Sequence, residues 1–310
     1  MGHSKLGIGG STRAVETRES GGQDLFVRQS GPHNDYRGSG VRIPQVRVPS
    51  EWHESKFIAH PRTGVLRGSR NTSELSAGSR LIGDRVAAFY SDAIRTYAHG
   101  HLLDLGCGRA PLLGYYSGFV DKATLVDWEN SFHKNPLLDL VADLNKPLQL
   151  DDETFDTVLL SDVLEHIPEP QNLLNEISRI LKSNGGVLLL NVPFFYPIHE
   201  EPFDFHRYTR FSLERMCAAA GLTVLEVAPI GGLPEILIDI ASKSALNTFR
   251  RLPFFGRGLA ALLQSAGSWI LNLRIGIKAS VRTADRYPLG YALVAVKKSP
   301  VGQISAQISI

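Results

Sequence analysis

An apolar run that breaks into closely spaced glycines constrains this chain more than any other stretch. Residues 102–110 read Leu-Leu-Asp-Leu-Gly-Cys-Gly-Arg-Ala. The leucine-rich part predicts a buried strand, and Gly106-Cys107-Gly108 predicts a tight turn directly after it. Glycine carries no Cβ, so a ligand can lie against the backbone there. Asp104, near the strand end, offers that ligand a fixed acceptor. Open α/β sheets bind nucleotide-like molecules where a parallel strand ends and a helix begins.

The rest of the pattern agrees with such a sheet. A helix is predicted from about Ser79 to Tyr97, with Ile82, Val86, Phe89 and Ile94 on one face, ended by His99-Gly100. Strands follow at His101–Leu105, Ala123–Val126, Leu137–Val141, Phe155–Leu160, Val187–Val192 and Leu222–Val227, with a late one at Tyr291–Val296. Helices are predicted at Pro170–Lys182 and Phe211–Ala220, closed by Asn184-Gly185-Gly186 and Gly221. Strands alternating with helices at this spacing mean a mainly parallel α/β sheet.

The expected layout is a disordered tail over 1–50, a catalytic domain over 51–298 and a short tail over 299–310. Residues 1–50 are rich in Gly, Ser and Arg and lack the apolar residues a core needs. Residues 51–72 read as irregular. Within the domain, the core spans 79–230 and 287–298. An apolar, helical insertion spans 232–286, with breaks at Pro234, Pro253, Gly256 and Gly258.

Composition excludes some classes. The net charge of +2 gives no nucleic-acid signal, and no nucleic-acid module is visible. Two cysteines, Cys107 and Cys217, make no disulfide framework, so a reducing, cytoplasmic setting is expected. No apolar leader follows Met1. Gly258–Ile277 is interrupted by Gln264, Ser265, Asn272 and Arg274, which makes a poor membrane span.

The glycine turn discriminates among cofactors. A dinucleotide fold wants Gly-x-Gly-x-x-Gly, and the third glycine falls at Pro111. A phosphate-binding Gly-Lys-Ser/Thr is absent too. The pattern that fits is Asp-x-Gly-x-Gly-x-Ala, from Asp104 to Ala110. Asp127 stands nineteen residues beyond Gly108, after an apolar strand. Ala142-Asp143-Leu144, then Phe155-Asp156-Thr157-Val158 with Ser161-Asp162-Val163-Leu164-Glu165-His166, and Lys182-x-x-Gly185-Gly186 follow in order.

In these motifs, across residues 80–230 and the late strand, the chain resembles the class I S-adenosylmethionine-dependent methyltransferases, in particular the type 11 domain group. The resemblance implies a Rossmann-like, seven-stranded sheet whose last strand is antiparallel, and S-adenosyl-L-methionine as cofactor. It implies that Asp104, Gly106, Cys107 and Gly108 shape the cofactor turn and that Asp127 accepts from the ribose hydroxyls. Trp128, Asp143 and Leu144 are expected around the adenine, with Ser161 and His166 lining the site. The turn amides suit the cofactor carboxylate. Ala110 departs from the usual third glycine. Each acid also has a plainer reading as a strand-end or loop residue.

Residues 193–211, after the fifth strand, are dense in aromatic and titratable groups. They suit a lid over the acceptor that excludes water and aligns the reactants. A hydroxyl acceptor benefits from a base, and His206 and His199 are the catalytic candidates. Alternatively, Phe203, Phe205 and Tyr208 pack the lid, and Asp204 with Arg207 form a structural ion pair. His199, Glu200, Asp204 and His206 lack a recognised ligand spacing, so no metal is expected.

Residues 243–286 carry Lys243, Arg250, Arg251, Arg257, Arg274, Lys278, Arg282 and Arg286 against Asp285 alone. Arg274, Lys278 and Arg282 share a helix face, and Trp269, Ile270, Leu273 and Ile277 supply an adjoining apolar one. This suits peripheral membrane contact, or an anionic acceptor, or a core-packing helix with a solvated basic face. The expected reaction is methyl transfer to a small-molecule, sugar or lipid-linked acceptor, with oxygen ahead of nitrogen or carbon. The competing readings are a non-catalytic membrane-associated binding protein and a nucleotide-cofactor oxidoreductase, the latter opposed by Pro111.

Overall fold

The structure, a computed structural model, describes residues 48–298. The expected tails over 1–50 and 299–310 fall outside the described residues except for 48–50.

The chain opens with two short strands, Phe57–Ala59 (β1) and Leu66–Gly68 (β2), paired as an antiparallel hairpin. This corrects the irregular reading of 51–72. Strands this short hold too few residues to display alternation. The hairpin is anchored to the helix Arg80–Tyr97 (α1), where the Leu66 amide donates to Ser91 Oγ at 2.7 Å.

The main sheet begins with His101–Leu105 (β3), followed by the short helix Leu113–Tyr116 (α2) and Lys122–Asp127 (β4). Leu140–Val141 (β5), Thr157–Ser161 (β6) and the helix Pro170–Ile180 (α3) come next. Val187–Pro193 (β7), the helix Arg210–Ala219 (α4) and Leu222–Ile230 (β8) complete the continuous part. Helices Leu233–Thr248 (α5), Pro253–Leu271 (α6) and Arg274–Ala284 (α7) then lead to Gly290–Lys297 (β9).

The seven strands lie in the order β5-β4-β3-β6-β7-β9-β8. All neighbours pair in parallel except β9, which is antiparallel to both β7 and β8. This is the Rossmann-like sheet that the motifs imply. Every residue of β7 is buried, as a central strand covered on both faces must be. Burial of each such leucine contributes about 2 kcal/mol. Leu173, Leu174, Ile177 and Ile180 supply the buried face of α3, and Pro170 at its first turn starts the helix without losing an internal hydrogen bond.

Some boundaries moved. The third predicted strand shrinks to Leu140–Val141, because Asn135 closes a turn by accepting from the Leu137 amide at 2.9 Å. Phe155 lies outside β6 and only bridges Leu181.

The insertion is three helices, and Gly256 and Gly258 lie inside α6 rather than breaking it. Gly256 lets α6 close on α5: an added Cβ would stand 3.1 Å from Phe249 Cβ. These helices bury polar groups and expose large apolar ones to an unusual degree. Glu235, Asp239, Ser242, Gln264 and Ser280 are buried, while Leu237, Ile240, Leu262, Trp269, Ile270 and Ile275 are exposed. Inside, Arg85 pairs with Glu235 at 3.0 Å and Ser280 donates to the same carboxylate at 2.7 Å. Gln264 donates to Gly78 O and accepts from the Leu81 amide, which ties α6 to the start of α1. Helix α7 packs inward through Gly276 and Ser280 and leaves Arg274, Lys278 and Arg282 exposed. The buried seam mixes the buried polar groups with Ile236, Ala245, Ala260 and Leu271, and Trp269, Ile270 and Leu273 lie outside it.

Candidate active site

The site gathers at the carboxyl ends of β3, β4, β6 and β7. After β3, Gly106 has φ +71°, and an added Cβ would stand 2.7 Å from Val163 Cγ2. Glycine is required there on both counts. The amides of Gly106 and Cys107 both donate to Val126 O, at 2.8 and 3.0 Å. Gly108 donates to Asp127 Oδ2 at 2.9 Å. The expectation that these amides receive a carboxylate is therefore corrected: β4 has already claimed them. The same occupancy leaves none of the three for a pyrophosphate, the usual guest of a helix N-terminal glycine turn. Ala110, in the third-glycine position, adopts φ +49°, and Trp52 Nε1 donates to its carbonyl at 2.9 Å.

Two carboxylates flank the turn. Asp104 is buried, and Tyr116 donates to it at 3.1 Å. Burial, with the nearby Asp127 charge adding, pushes its carboxyl up to about 7. Asp127 is held in place by the amides of Gly108 and Trp128. It opens onto a cleft of about 380 Å³ whose walls include Trp128, His133, Asn135, Pro136 and Val141. Burial also pushes the Cys107 thiol far up, so it acts as a packed neutral group.

Other expected site residues have local partners. Asp143 accepts from the amide and side chain of Asn145 and pairs with Lys146 at 3.1 Å. Those bonds, the Asn145 amide first, hold its carboxyl below the ordinary range. Leu144 belongs to the main apolar core. Ser161 donates to Asn191 Oδ1 at 3.0 Å, an oxygen that also accepts from Tyr90 at 2.7 Å. Asn191 donates to Asp162, which pairs with Lys56 at 2.6 Å. Burial pulls the Lys56 ammonium down, but Asp162 overrides it and holds it above its ordinary value. Lys56, Tyr90 and Asn191 carry no local motif, so only the fold could reveal this network.

The segment after β7 folds back over the cleft. Phe203 meets Trp128 edge-on, with ring centroids 5.3 Å apart, and Glu200 lies 3.4 Å from His133. Asp204 pairs with Arg207 at 2.7 Å, and Arg207 holds its carboxyl well below the usual range. Tyr208 is buried and donates to Leu164 O at 2.8 Å. The structural alternative for Asp204, Arg207 and Tyr208 is thus what the geometry displays.

The two expected bases part company. His206 turns its Nε2 to Pro168 O at 3.2 Å. His199 instead meets His166 and Glu165, with its Nε2 3.9 Å from Glu165 Oε1. Burial keeps the His199 ring below its ordinary value, and burial pushes the Glu165 carboxyl well up. Glu165 stood inside a quoted motif, but its full burial could not be read from the sequence.

The cleft's chemistry fits a cationic nucleoside: a buried carboxyl, a second carboxylate facing the open cleft and an aromatic wall. Residues 103–189 match a family model described as a methyltransferase domain. A curated relative, phosphatidylethanolamine N-methyltransferase from Cereibacter sphaeroides, is 27% identical over 168 residues, covering 45% of this chain and 81% of its own. An S-adenosylmethionine-dependent methyltransferase from Archaeoglobus fulgidus aligns over 71% of this chain and 97% of its own, with 16% identity and a TM-score of 0.43. Another, from Mesorhizobium loti, aligns over 68% and 99%, with 14% identity and a TM-score of 0.42.

Residues 103–189 thus carry a methyltransferase domain, on the Rossmann-like sheet described above. The chain is accordingly an S-adenosylmethionine-dependent enzyme that transfers a methyl group to an acceptor.

Proposed function

We propose that this enzyme methylates a lipid-linked acceptor while resting on an anionic membrane surface, with a hydroxyl oxygen as the nucleophile. The observation that carries the reading is the exposed apolar face of the insertion. Its helices expose Leu237, Ile240, Leu262, Trp269, Ile270 and Ile275 over a partly polar seam, which suits an apolar surrounding. At the α5–α6 corner, Phe254 is 87% exposed, beside Leu252, Phe255, Arg250, Arg251 and Arg257. Between Asp239 and Asp285 the sequence holds no acidic residue, so the charge complements an anionic leaflet. No helix among the described residues is long and apolar enough to cross a membrane, so contact would be peripheral. The relative named for phosphatidylethanolamine supports a lipid acceptor.

In this reading residues 51–298 form the working domain, with 232–286 as its membrane-facing part. Asp127 accepts from the ribose hydroxyls, and Asp104 faces the cationic methionyl group. Trp128 and Leu144 flank the adenine, and Asp143 accepts from its amine through a free lone pair. Gly106, Cys107 and Gly108 permit close approach by lacking bulk. Ser161 shapes the floor through Asn191, and His166 borders the acceptor side. Bound S-adenosylmethionine supplies an electrophilic methyl on a sulfonium, whose electron pair stays on sulfur after transfer. The lid excludes water, and His199 or Glu165 receives the proton of the acceptor hydroxyl.

The test is vesicle retention with radiolabelled methyl donor. Vesicles containing anionic lipid should retain the protein and acquire label in a lipid extract. Phe254→Asp combined with Phe255→Asp should abolish retention and leave calorimetric cofactor binding intact. Equal loss of the protein from anionic and neutral vesicles would overturn the membrane reading. Label in a nitrogen headgroup would overturn the oxygen assignment alone.

A further inference from the structure

Glu165 is the least explained group in the molecule. It lies in the short turn Leu164–His166 just after β6 and is fully buried. Neither of its oxygens has a hydrogen-bond partner among the described residues, and the same is true of His166 Nε2. Leaving buried polar atoms unpaired costs about 1–3 kcal/mol each, so they call for a partner.

The surroundings say what kind. His166 donates through Nδ1 to Phe203 O at 2.9 Å, and His199 donates through Nδ1 to Asp204 at 3.1 Å. With Nδ1 donating, the neutral tautomer of each ring presents Nε2 as the lone pair. His166 Nε2 and His199 Nε2 stand 3.7 and 3.9 Å from Glu165 Oε1, and the three ligand atoms lie within 4.8 Å of one another. Glu200 Oε2 lies 3.9 Å from His166 Nε2. A metal-ligating histidine characteristically donates its other nitrogen to a carboxylate or carbonyl, as both do here.

Charge points the same way. The nearby cations Lys56 and Arg207 are already paired, with Asp162 and Asp204. Glu165 and Glu200 are left facing imidazoles.

We propose that Glu165, His166 and His199, joined by Glu200, hold a divalent first-row transition-metal ion such as Zn²⁺ or Mn²⁺. Two imidazoles with carboxylates favour such ions over Mg²⁺ or Ca²⁺. Bonds to the ion of about 2.1 Å set tetrahedral ligand atoms about 3.4 Å apart, so each imidazole closes on Glu165 by about half an ångström and the widest pair, within 4.8 Å now, by up to about 1.4 Å. The site adjoins the cofactor cleft, since Gly106 packs on Val163, two residues before Glu165, and Glu200 reaches His133. A bound ion would occupy the lone pairs of Glu165 and His199 and so take their place as base: it would bind the acceptor oxygen and lower its pKa, the proton passing to solvent before the lid closes. That use rests on the methyl-transfer reading, whereas ion binding does not. The sequence spacing gave no metal expectation because the ligands come from two segments that only the fold joins.

The test uses the full chain, stripped with a chelator and titrated with Zn²⁺ and Mn²⁺ alone, without cofactor or acceptor. Equilibrium dialysis with elemental analysis should find one ion per chain at micromolar affinity or tighter. Glu165→Gln and His199→Ala should each weaken it about 100-fold. The electronic spectrum of the Co²⁺-loaded protein should report nitrogen and oxygen ligation and vanish in either variant. Circular dichroism checks that the variants fold, and His199→Ala, at a half-buried position, stands in if Glu165→Gln does not. Absence of stoichiometric uptake, or uptake unchanged in a folded variant, overturns the proposal. Cofactor calorimetry on the stripped protein reads the methyltransferase assignment separately.

Discussion

Asp104 ties the cofactor turn to pH. Its carboxyl is buried beside Asp127 and titrates near about 7. An acid raised in the folded state favours its neutral form, so this contribution to stability is present at low pH. It is lost as pH climbs from the ordinary carboxylate range to about 7. A cation placed against Asp104 reverses the preference by favouring the carboxylate. Cofactor binding below pH 7 should therefore release a proton, and affinity should fall by up to about tenfold per pH unit below that point. Calorimetry at pH 6 and pH 8, in buffers of different ionisation heat, measures the release. Asp104→Asn should flatten the dependence. The glycines and acids of this turn were legible in the sequence because strand, turn and ligand contact are all local. The capture of the turn amides by Val126 O was not, since that contact depends on where β4 lies.

Elements report a different balance. The hydrophobic runs of β3, β6 and β7 located the sheet, because a strand buried on both faces needs no partner to be recognised. The insertion was legible as helical, yet its orientation was not. Its apolar residues suited either a core-packing or a membrane-facing helix, and the fold turns many of the large ones outward. What holds α5 in that attitude is the buried carboxylate of Glu235, gripped by Arg85, Ser280 and the Gly232 amide. Arg85→Ala should destabilise the protein by about 3 kcal/mol, because it leaves a charge buried with hydroxyl and amide partners only. Urea unfolding measures this, and Arg85→Lys should recover part of it. Helix α5 also touches the lid, where the Lys243 ammonium stands 3.6 Å from the Tyr196 ring centroid. The face proposed for lipid contact and the segment over the acceptor are thus joined through one helix.

At the scale of the whole molecule, a net charge of +2 conceals a strong local asymmetry. The arginines of the insertion and Lys278 are exposed and stand without acids between Asp239 and Asp285, while Lys243 is paired with Asp239. Attraction to an anionic surface from such charges is screened within about 8 Å at physiological salt. Retention on anionic vesicles should therefore fall as sodium chloride rises from 0.1 M to 0.5 M. A residue due to the exposed aromatic groups should remain. Co-sedimentation at the two salt levels measures both parts. Loss of all binding at the higher salt would mean that Phe254, Phe255 and Trp269 contribute nothing.

The sequence by itself determined the sheet, the glycine turn and the cofactor class. Each of these is written in contiguous residues whose periodicity and size act locally. Only the tertiary structure decided that His199 joins Glu165 and His166 while His206 turns to Pro168, and that Lys56 reaches Asp162. It alone decided that the insertion turns many of its large apolar residues outward. Those outcomes depend on side chains far apart in the chain competing for the same buried space, and no local pattern records who wins.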